Sequence, residues 1–384
     1  MRIGIDIRSL AEPKPGGVTR YAEQLLRHLF ELDKKNEYTL FLNAWAQTER
    51  VDFDYPNVNY KTTRWPNKLF NSSLVFLKRP ALDSLIGRCD VFFAPNLNFL
   101  SLSLGCPLVL TIHDLSFELY PKFLSWKRRL WHRFISPRRL VERADGIIAV
   151  SESTKRDLVE LYRVSADKIK VIYPGVDARK FNSVTDQDLA SVRKKYRLNQ
   201  PFIFSLSFLE PRKNLMATLQ AFDLFKEKYP RPLQLILAGQ SSWQHSQLER
   251  LRLSLKNRGD VRFVGYVSEL EKAYLMKLAQ VFVYPSVYEG FGFPPLESLM
   301  AGTPVIISAS ASLPEVVGEA GIIIQPYNVA ELTEAMHQVL SNPDLKQRLM
   351  NHRQELAEKY SWVRAAEQTL NLLETTANKY AHRN

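Results

Sequence analysis

Two glutamates, Glu289 and Glu297, stand with seven residues between them in the segment YPSVYEGFGFPPLES, residues 284–298. Gly290 and Gly292 lie between them and let the backbone N–H groups approach a ligand closely. A carboxylate about 4 Å from a phosphate is repelled by roughly 1 to 4 kcal/mol, so the glutamates cannot themselves bind a phosphate held by this loop. Carboxylates do accept paired O–H bonds from a vicinal diol. The segment therefore predicts a ligand with phosphate and sugar hydroxyls, such as a nucleotide sugar, with surface acids placed by chance as the alternative.

Two further short motifs precede predicted helices. Arg212 and Lys213 form an adjacent pair of cations that can hold a diphosphate, because arginine binds two oxygens with its planar fork while lysine supplies a compact charge. The alternative is a solvated surface pair with Glu210. Gly16 and Gly17 come before a helix expected to begin near residue 18, whose N-terminal N–H groups carry about half a positive charge. This glycine pair predicts a second anion-binding position, with a plain turn as the alternative.

The elements that must position these residues are short apolar runs separated by helical stretches. Because the runs are continuous rather than alternating, they predict strands buried on both faces, hence parallel sheets covered by helices. The first series is RIGIDI (2–7), YTLFLN (38–43), DVFFA (90–94), PLVLTI (107–112), DGIIAV (145–150) and KVIY (170–173). The second is FIFSLS (202–207), LQLILA (233–238), VRFV (261–264), VFVYP (281–285), PVIIS (304–308) and GIIIQ from Gly321. Two Rossmann-like, doubly wound α/β domains are predicted, and their ligands bind at the carboxyl ends of the strands.

A polar stretch without a strand pattern separates the two series, between Pro174 and Pro201. We expect an N-terminal domain over residues 1–180 and a C-terminal domain over residues 181–360. An amphipathic pattern after the last strand predicts a C-terminal helix over residues 361–384, which we expect to pack back toward the N-terminal domain.

The composition is that of a soluble globular protein, with 384 residues, 45% hydrophobic and 24% charged. No run approaches eighteen apolar residues, and the first ten residues contain three charges, which argues against a membrane span and a secretory signal peptide. We therefore expect a cytoplasmic protein. Cys89 and Cys106 lie in or beside apolar segments, so buried thiols are favoured over a disulfide or a metal pair. No cluster with metal-ligand spacing is seen, and we expect no metal.

The net charge is +12, and the basic excess lies in the first half of the chain. Residues 1–180 hold 29 Lys and Arg against 20 Asp and Glu, whereas the remainder holds 23 against 20. Nucleic acid, an anionic membrane surface and phosphorylated substrates all fit such a balance, and composition alone does not choose among them.

Two segments of the first half mix cations with aromatic side chains. Residues 121–143 hold eight cations against a single acid, and they include Lys127, Arg128, Arg129 and Trp131. Residues 60–80 hold five cations and no acid. Basic residues mixed with exposed aromatic side chains suit the interface of an anionic bilayer. This pattern predicts a peripheral contact with the inner face of the cytoplasmic membrane, and the alternative is a solvated helix face whose tryptophans pack in the core.

The paired glutamates resemble the E-x7-E motif of retaining glycosyltransferases with the GT-B fold, in which two Rossmann-like domains face a cleft. The similarity extends over almost the whole chain. The segments that carry it occur in the family's order, namely GGVTRYAEQLL, TIHDLSFELYP, ERADGIIAVSESTKRDL, VIYPGVD, LEPRKNL, FVGYVSELEKAYL, YPSVYEGFGFPPLESLMAGTPVI and SLPEVVG. The HDLSFELYP and LEPRKNL segments are similar to those of bacterial mannosyltransferases of surface polysaccharide and lipopolysaccharide assembly.

The resemblance implies a nucleotide-sugar site in the C-terminal domain and an acceptor side in the N-terminal domain. It implies that Glu297 holds the ribose of the nucleotide. Glu289, together with the N–H groups of Gly290, Phe291 and Gly292, would hold the hydroxyls of the donor sugar and the nearby phosphate. The glycines Gly16 and Gly17 would also belong to the donor site.

The catalytic residues implied by the resemblance are Arg212, Lys213, Glu289 and His113. The two cations would neutralise the leaving diphosphate, and His113 would lie at the donor sugar near the reacting carbon. Asp114 either joins the site or caps the following segment. Many relatives have a G-R-L sequence where this chain has residues 207–209, SFL, so Arg212 would have to supply the positive charge of that missing arginine.

The implied reaction is transfer of a hexosyl group from a nucleoside diphosphate sugar to a hydroxyl of a glycan or lipid-linked acceptor, with retention of configuration. GDP-mannose is the favoured donor and a UDP-hexose of the glucosyl type the second choice. Backbone N–H groups and two cations stabilise the leaving diphosphate, so we expect no cofactor and no metal. Alternatives are a nucleotide-sugar epimerase or a phosphorylase on the same fold. A basic nucleic-acid-binding protein would leave the paired glutamates unexplained, and no nucleic acid is expected as a partner.

Overall fold

The structure, a computed structural model, describes residues 1–11, 16–43, 52–240 and 245–381. The chain forms two compact units. The first consists of Met1–Gly175 together with Tyr360–Asn384, and the second of Val176–Lys359. Each unit is a parallel β-sheet with helices on its faces, which confirms the predicted pair of Rossmann-like domains. Within the described residues no helix is both long enough and apolar enough to cross a membrane.

The sheet of the first unit has seven described strands in the order β3-β2-β1-β4-β5-β6-β7. They are β1 (Arg2–Asp6), β2 (Glu37–Asn43), β3 (Val58–Thr63), β4 (Val91–Ala94), β5 (Leu108–Ile112), β6 (Gly146–Ala149) and β7 (Ile169–Val171). Ile3 pairs with Tyr38 of β2 on one side and with Val91 of β4 on the other. The order of the strands therefore reverses beside β1, and the carboxyl ends of β1 and β4 flank the position where such sheets bind ligands.

Seven described helices of the first unit lie in its N-terminal segment, and an eighth comes from the C-terminal segment of the chain. They are α1 (Gly17–Leu32), α2 (Asn67–Ser72), α3 (Leu82–Leu85), α4 (Ser116–Leu119), α5 (Trp126–Ile135), α6 (Pro137–Arg143), α7 (Glu152–Tyr162) and, far along the sequence, α18 (Trp362–Ala381). Helix α18 packs against α1 and against strands β4, β5 and β6. Its buried face includes Ala365, Ala366, Thr369 and Leu373, at the helical spacing the sequence predicts.

Gly175, the last residue of the first segment of this unit, lies directly against the beginning of α18. A Cβ atom at this position would come within 2.2 Å of the backbone nitrogen of Trp362. Only glycine allows this approach. The chain therefore leaves the first unit and returns to it at adjacent points.

The sheet of the second unit has six described strands in the order β10-β9-β8-β11-β12-β13. They are β8 (Phe202–Leu206), β9 (Gln234–Ala238), β10 (Val261–Gly265), β11 (Val281–Tyr284), β12 (Val305–Ser308) and β13 (Gly321–Ile324). The order reverses between β8 and β11, where Ile203 pairs with Val281. A ligand site is expected at the carboxyl ends of these two strands.

Ten helices flank this second sheet in the described residues. They are α8 (Arg179–Asn182), α9 (Asp186–Lys195), α10 (Leu215–Lys228), α11 (His245–Ser254), α12 (Glu269–Leu278), α13 (Phe293–Met300), α14 (Leu313–Val317), α15 (Val329–Ser341), α16 (Pro343–Asn351) and α17 (Arg353–Lys359). The core on one face is built from fully buried side chains such as Leu219, Phe222, Leu235, Val283 and Met336. The same cluster includes Ile203 of β8, so β8 and β11 share this core.

The two cysteines lie in the first unit as thiols, with their sulfur atoms 3.6 Å apart. Cys106 is buried, whereas Cys89 is only half-buried. The hydrogen bond to Cys89 and burial both raise the pKa of Cys106, so this thiol stays protonated at neutral pH.

Candidate active site

The loops that follow β8 and β11 are joined by hydrogen bonds at the reversal point of the second sheet. The backbone N–H of Val287 donates to the carbonyl of Arg212 at 2.8 Å, and the Ser286 hydroxyl donates to the same carbonyl at 3.1 Å. The Asn214 side-chain amide donates to the carbonyl of Pro285 at 3.2 Å. These bonds place the two cations of the first loop beside the glutamate of the second.

Glu289 is the centre of a buried polar cluster. One of its carboxylate oxygens is 2.9 Å from Nη1 of Arg212, and the other is 2.6 Å from Nζ of Lys213. The Tyr284 hydroxyl donates to the second oxygen at 3.0 Å, and the Ser286 hydroxyl donates a short hydrogen bond to it as well. Glu289 and Lys213 are each only 7% exposed. The structure thus brings three predicted site residues into one ion-paired group.

The charges in this cluster determine its protonation. Burial by itself raises the pKa of Glu289, but the charges of Arg212 and Lys213 outweigh it and bring the pKa down to about 2. Burial lowers the pKa of Lys213, and the charge of Arg212 lowers it further, against the opposing charge of Glu289. The carboxylate of Glu289 is therefore ionised at any pH at which the protein works.

The guanidinium of Arg212 also contacts Glu210 and the backbone of Tyr288. Its Nη2 atom is 3.0 Å from the carboxylate of Glu210, and its Nη1 atom donates to the carbonyl of Tyr288 at 2.8 Å. Two cations and two carboxylates thus balance one another at this site. The alternative of a solvated surface pair is wrong, because Lys213 is buried and Arg212 is held between two glutamates.

The glycine-containing loop after Glu289 leads into helix α13. The Ser312 hydroxyl lies 2.8 Å from the carbonyl of Glu289 and 2.8 Å from that of Phe291, and so holds both ends of the turn. Gly292 has a φ of +104°, and a Cβ atom there would lie 2.6 Å from a methyl of Leu313. Glycine is therefore required where the loop enters the helix. Helix α13 then runs from Phe293 to Met300.

Glu297 lies on α13 and has a buried lysine as its partner. Nζ of Lys272 is 2.5 Å from the carboxylate of Glu297 and 3.0 Å from that of Glu269, and Lys272 is 4% exposed. The motifs did not point to Lys272. A signal was present, however, because Lys272 occupies an apolar position of α12, four residues before the buried Met276.

His113 lies in the first unit, directly after β5. Its Nε2 atom is 2.9 Å from the carbonyl of Pro95. Its ring centre lies 4.7 Å from that of Tyr21, with the two rings edge to face. Because a carbonyl only accepts, Nε2 carries the proton and Nδ1 is left as an acceptor. Burial lowers the pKa of His113, against the hydrogen bond to Pro95 and the charge of Asp114, so the imidazole is neutral at pH 7. Asp114 itself accepts hydrogen bonds from the backbone and hydroxyl of Ser116, at 3.0 and 2.7 Å, and caps the next turn.

Gly16 and Gly17 begin helix α1, the helix that follows β1. Gly16 is the N-cap with an extended backbone, and its carbonyl accepts from the N–H of Arg20 at 3.1 Å. A Cβ atom on Gly16 would meet no atom of the described residues within 4 Å. Packing against that part of the chain therefore does not require glycine there, and the role of this pair in donor binding stays a prediction.

Two Asp-x-Asp pairs occur in the chain, at Asp52–Asp54 and Asp186–Asp188. Asp188 forms the capping box of α9 with Thr185, which accounts for its position. In the part of the chain that the structure describes, no three His, Cys, Asp or Glu side chains are grouped so that they could hold a metal ion.

Comparison with known proteins assigns the family. The profile described as Glycosyltransferase Family 4 matches residues 15–180, and that of Glycosyl transferases group 1 matches residues 187–356. The O-antigen chain mannosyltransferase B of Escherichia coli is 31% identical over 264 residues, which are 68% of this chain and 69% of the relative. The chain belongs to the group 1 glycosyltransferases. The family predicted from the motifs is confirmed.

This glycosyltransferase is also 32% identical over 231 residues, 59% of its length, to the serotype-specific mannosyltransferase WbdA of Escherichia coli, of which it spans only 28%. Its fold matches that of HepE from Anabaena, solved in complex with UDP and glucose, with a TM-score of 0.73 at 18% identity and coverage of 98% of this glycosyltransferase and 100% of HepE. The predicted GT-B fold is confirmed. The retaining chemistry and the roles of the paired glutamates stay predictions.

Proposed function

We propose that this glycosyltransferase transfers a mannosyl group from GDP-mannose to a hydroxyl of a glycan or lipid-linked acceptor, with retention of anomeric configuration. The observation that carries the proposal is the buried cluster of Glu289, Arg212 and Lys213. It lies at the carboxyl ends of β8 and β11, at the reversal point of the second sheet, where doubly wound sheets bind nucleotides.

Donor binding would exchange partners within this cluster. Without a ligand, each buried charge needs its neighbour, because an unpaired buried charge destabilises a protein by about 3 to 5 kcal/mol. A bound diphosphate would replace Glu289 as the ion-pair partner of Arg212 and Lys213. The hydroxyls of the donor sugar would then donate hydrogen bonds to the carboxylate. The same three residues thus suit both the protein alone and its complex with a nucleotide sugar.

The reaction breaks the bond between the anomeric carbon and the diphosphate oxygen and forms a bond from that carbon to the acceptor oxygen. In the proposed same-face mechanism, the acceptor proton passes to the leaving phosphate oxygen. Negative charge grows on the diphosphate, where the two fixed cations would stabilise it without a metal ion. The neutral ring of His113 would contribute a hydrogen bond at the donor sugar.

The sugar and the nucleotide are inferred from the relatives. The two curated relatives described above are named as mannosyltransferases, which favours a mannosyl donor and hence GDP-mannose. The fold relative that contains UDP and glucose keeps a UDP-hexose as the second choice. An acceptor on a growing surface polysaccharide would match the O-antigen assembly named for the first relative.

A thermal-shift panel of GDP, UDP, ADP and dTDP tests the donor. We expect GDP to raise the melting temperature most, since a ligand at 100 times its Kd stabilises a protein by about 2.7 kcal/mol. A shift with UDP alone would favour glucosyl transfer from a UDP-hexose over mannosyl transfer. If no nucleotide shifted the melting temperature, the proposal would be rejected. Nucleotide release from GDP-mannose should depend on an acceptor, which separates a transferase from an epimerase, and EDTA should change its rate less than twofold.

Glu297→Ala should weaken nucleotide binding itself. If Glu297 holds the ribose, loss of its carboxylate removes two hydrogen bonds, and we expect the Kd for GDP to rise at least about tenfold, equivalent to 1.4 kcal/mol. The matched control is Glu269→Ala, which removes the other acidic partner of Lys272 and should change the Kd less than twofold. Equal effects of the two substitutions in isothermal titration would assign Glu297 a structural role only.

A further inference from the structure

Helix α5 in the first unit exposes its apolar side chains instead of burying them. Of its ten residues, Ile135 alone is buried. Trp126, Leu130 and Phe134 stand four residues apart and so line one face of the helix. All three are exposed, and Trp126 is 69% exposed. A short helix with such a face normally packs it into a core.

A second exposed apolar segment adjoins α5. Residues 65–77 include Trp65, Leu69, Phe76 and Leu77, all of which are exposed, and Phe76 is 70% exposed. The ring centres of Phe76 and Phe134 are 6.1 Å apart, with the two rings edge to face. The two segments that mix cations and aromatic residues in the sequence therefore meet at this ring contact, although about fifty residues separate them. We call their exposed apolar side chains the aromatic surface, and its members are Trp65, Leu69, Phe76, Leu77, Trp126 and Phe134.

Two aromatic contacts join the segments of the aromatic surface to buried side chains of the first unit. Trp131 lies on the next face of α5, and its ring centre is 6.0 Å from that of Phe99. The ring centre of Trp65 is 6.1 Å from that of the buried Phe70. Both tryptophans of α5 are nevertheless exposed, Trp131 at 40% and Trp126 at 69%. The alternative, in which these tryptophans pack in the core, does not hold for either.

Exposed cations lie in the same two segments, residues 60–80 and 121–143, and we call them the cationic rim. They are Lys61, Arg64, Lys68, Lys78, Arg79, Lys122, Lys127, Arg128, Arg129, Arg133, Arg138 and Arg139. Nζ of Lys127 lies 5.8 Å from the ring centre of Trp126, so charge and aromatic ring are side by side. Residues 60–80 contain no acid, and residues 121–143 contain only Glu142, which pairs with Arg138. The rim is therefore strongly positive.

We propose that the aromatic surface docks this protein on an anionic phospholipid bilayer. Trp126, Phe134 and Phe76 would lie at the boundary between headgroups and acyl chains, and the cations of the cationic rim would contact lipid phosphates. Nucleic acid would use the cations but gives no reason for exposed leucines at residues 69, 77 and 130. An apolar centre with a cationic rim matches a lipid interface. This inference does not depend on the donor or the acceptor of the proposed reaction.

Flotation with phosphatidylglycerol-rich vesicles tests the cationic rim. We expect binding that is lost above about 0.5 M salt, where charges are screened within a few ångströms, and at least about tenfold weaker binding to phosphatidylcholine vesicles. Lys68→Glu, Lys127→Glu and Arg133→Glu combined should weaken binding at least about 100-fold, because each cation near an anionic surface strengthens binding about fivefold. The matched control reverses three exposed cations of the second unit, Arg193, Lys194 and Lys228, and should keep binding within threefold. Equal losses in the two triple variants would overturn the proposal.

Insertion of the apolar centre needs its own measurement. Phe76→Ser with Phe134→Ser keeps every charge and should weaken vesicle binding at least about tenfold, with circular dichroism unchanged. Brominated lipids should quench part of the tryptophan fluorescence, and Trp126→Phe should remove most of that quenching. Absence of quenching would overturn the lipid assignment. It would also be overturned if the wild type did not bind vesicles but bound RNA, and if the lysine and arginine reversals abolished that RNA binding.

Discussion

Replacing Arg212 and Lys213 together by alanine should lower kcat/KM at least about 1,000-fold. Removal of a single group that stabilises developing negative charge in a water-poor site costs about 10² to 10³ in rate, and this variant removes two. The assay is release of nucleotide from donor and acceptor under initial-rate conditions. A loss of less than tenfold would mean that the leaving diphosphate is stabilised elsewhere.

Stability must be separated from catalysis in this variant. Without the two cations, Glu289 is left buried and unpaired, so we expect unfolding in urea to become easier by about 3 to 5 kcal/mol. Adding Glu289→Gln to the double variant should restore much of that stability but none of the activity. Lys226→Ala, which breaks an ion pair with Asp260 outside the site, serves as the control and should leave kcat/KM within twofold.

Glu289→Gln alone should lower kcat at least tenfold without weakening the binding of a nucleoside diphosphate. The amide is the same size as the carboxylate but accepts sugar hydroxyls less strongly, so the loss falls on the transfer step. Arg212 and Lys213 no longer share an anion in this variant, and GDP should bind at least as tightly as to the wild type. A rise in Kd with kcat unchanged would place Glu289 at the nucleotide rather than at the sugar.

The same substitution should show a characteristic dependence of stability on pH. The pKa of Glu289 is lowered from 4.5 to about 2, so the ionised carboxylate stabilises the folded state above pH 4.5, by on the order of 3 kcal/mol. This contribution is lost as the pH falls toward 2. The difference in unfolding free energy between wild type and Glu289→Gln should therefore shrink by more than half between pH 7 and pH 3. A constant difference would show that the carboxylate is not held ionised by its neighbours.

The sequence alone predicted most of the fold, because buried parallel strands leave a continuous apolar run. Every run that was identified overlaps a strand, and their bounds agree within two residues at each end. Strand β3, Val58–Thr63, was missed. It lies at the edge of its sheet, and half of its VNYKTT sequence faces solvent, so neither a continuous run nor a clear alternation is present.

The site was predicted in its residue types but not in its pairings. Glycines, cations and glutamates after strands are visible in the sequence because their position relative to each strand is local. The ion pair between Arg212 and Glu289 joins residues 77 positions apart, and it exists because β8 and β11 are neighbours in the sheet. Lys272 meets Glu297 for a similar reason, since α12 and α13 pack together. Such contacts depend on strand order, which local patterns do not encode.

The return of the chain to the first unit affects the order in which the protein can fold during synthesis. Domains generally fold as units as they leave the ribosome, and usually the N-terminal one completes first. Here α18 covers α1 and strands β4, β5 and β6, yet it is made after the whole of the second unit. The second unit, which is continuous from Val176 to Lys359, can therefore finish folding while the first still exposes an uncovered apolar face. The unit that begins the chain is the last to be completed.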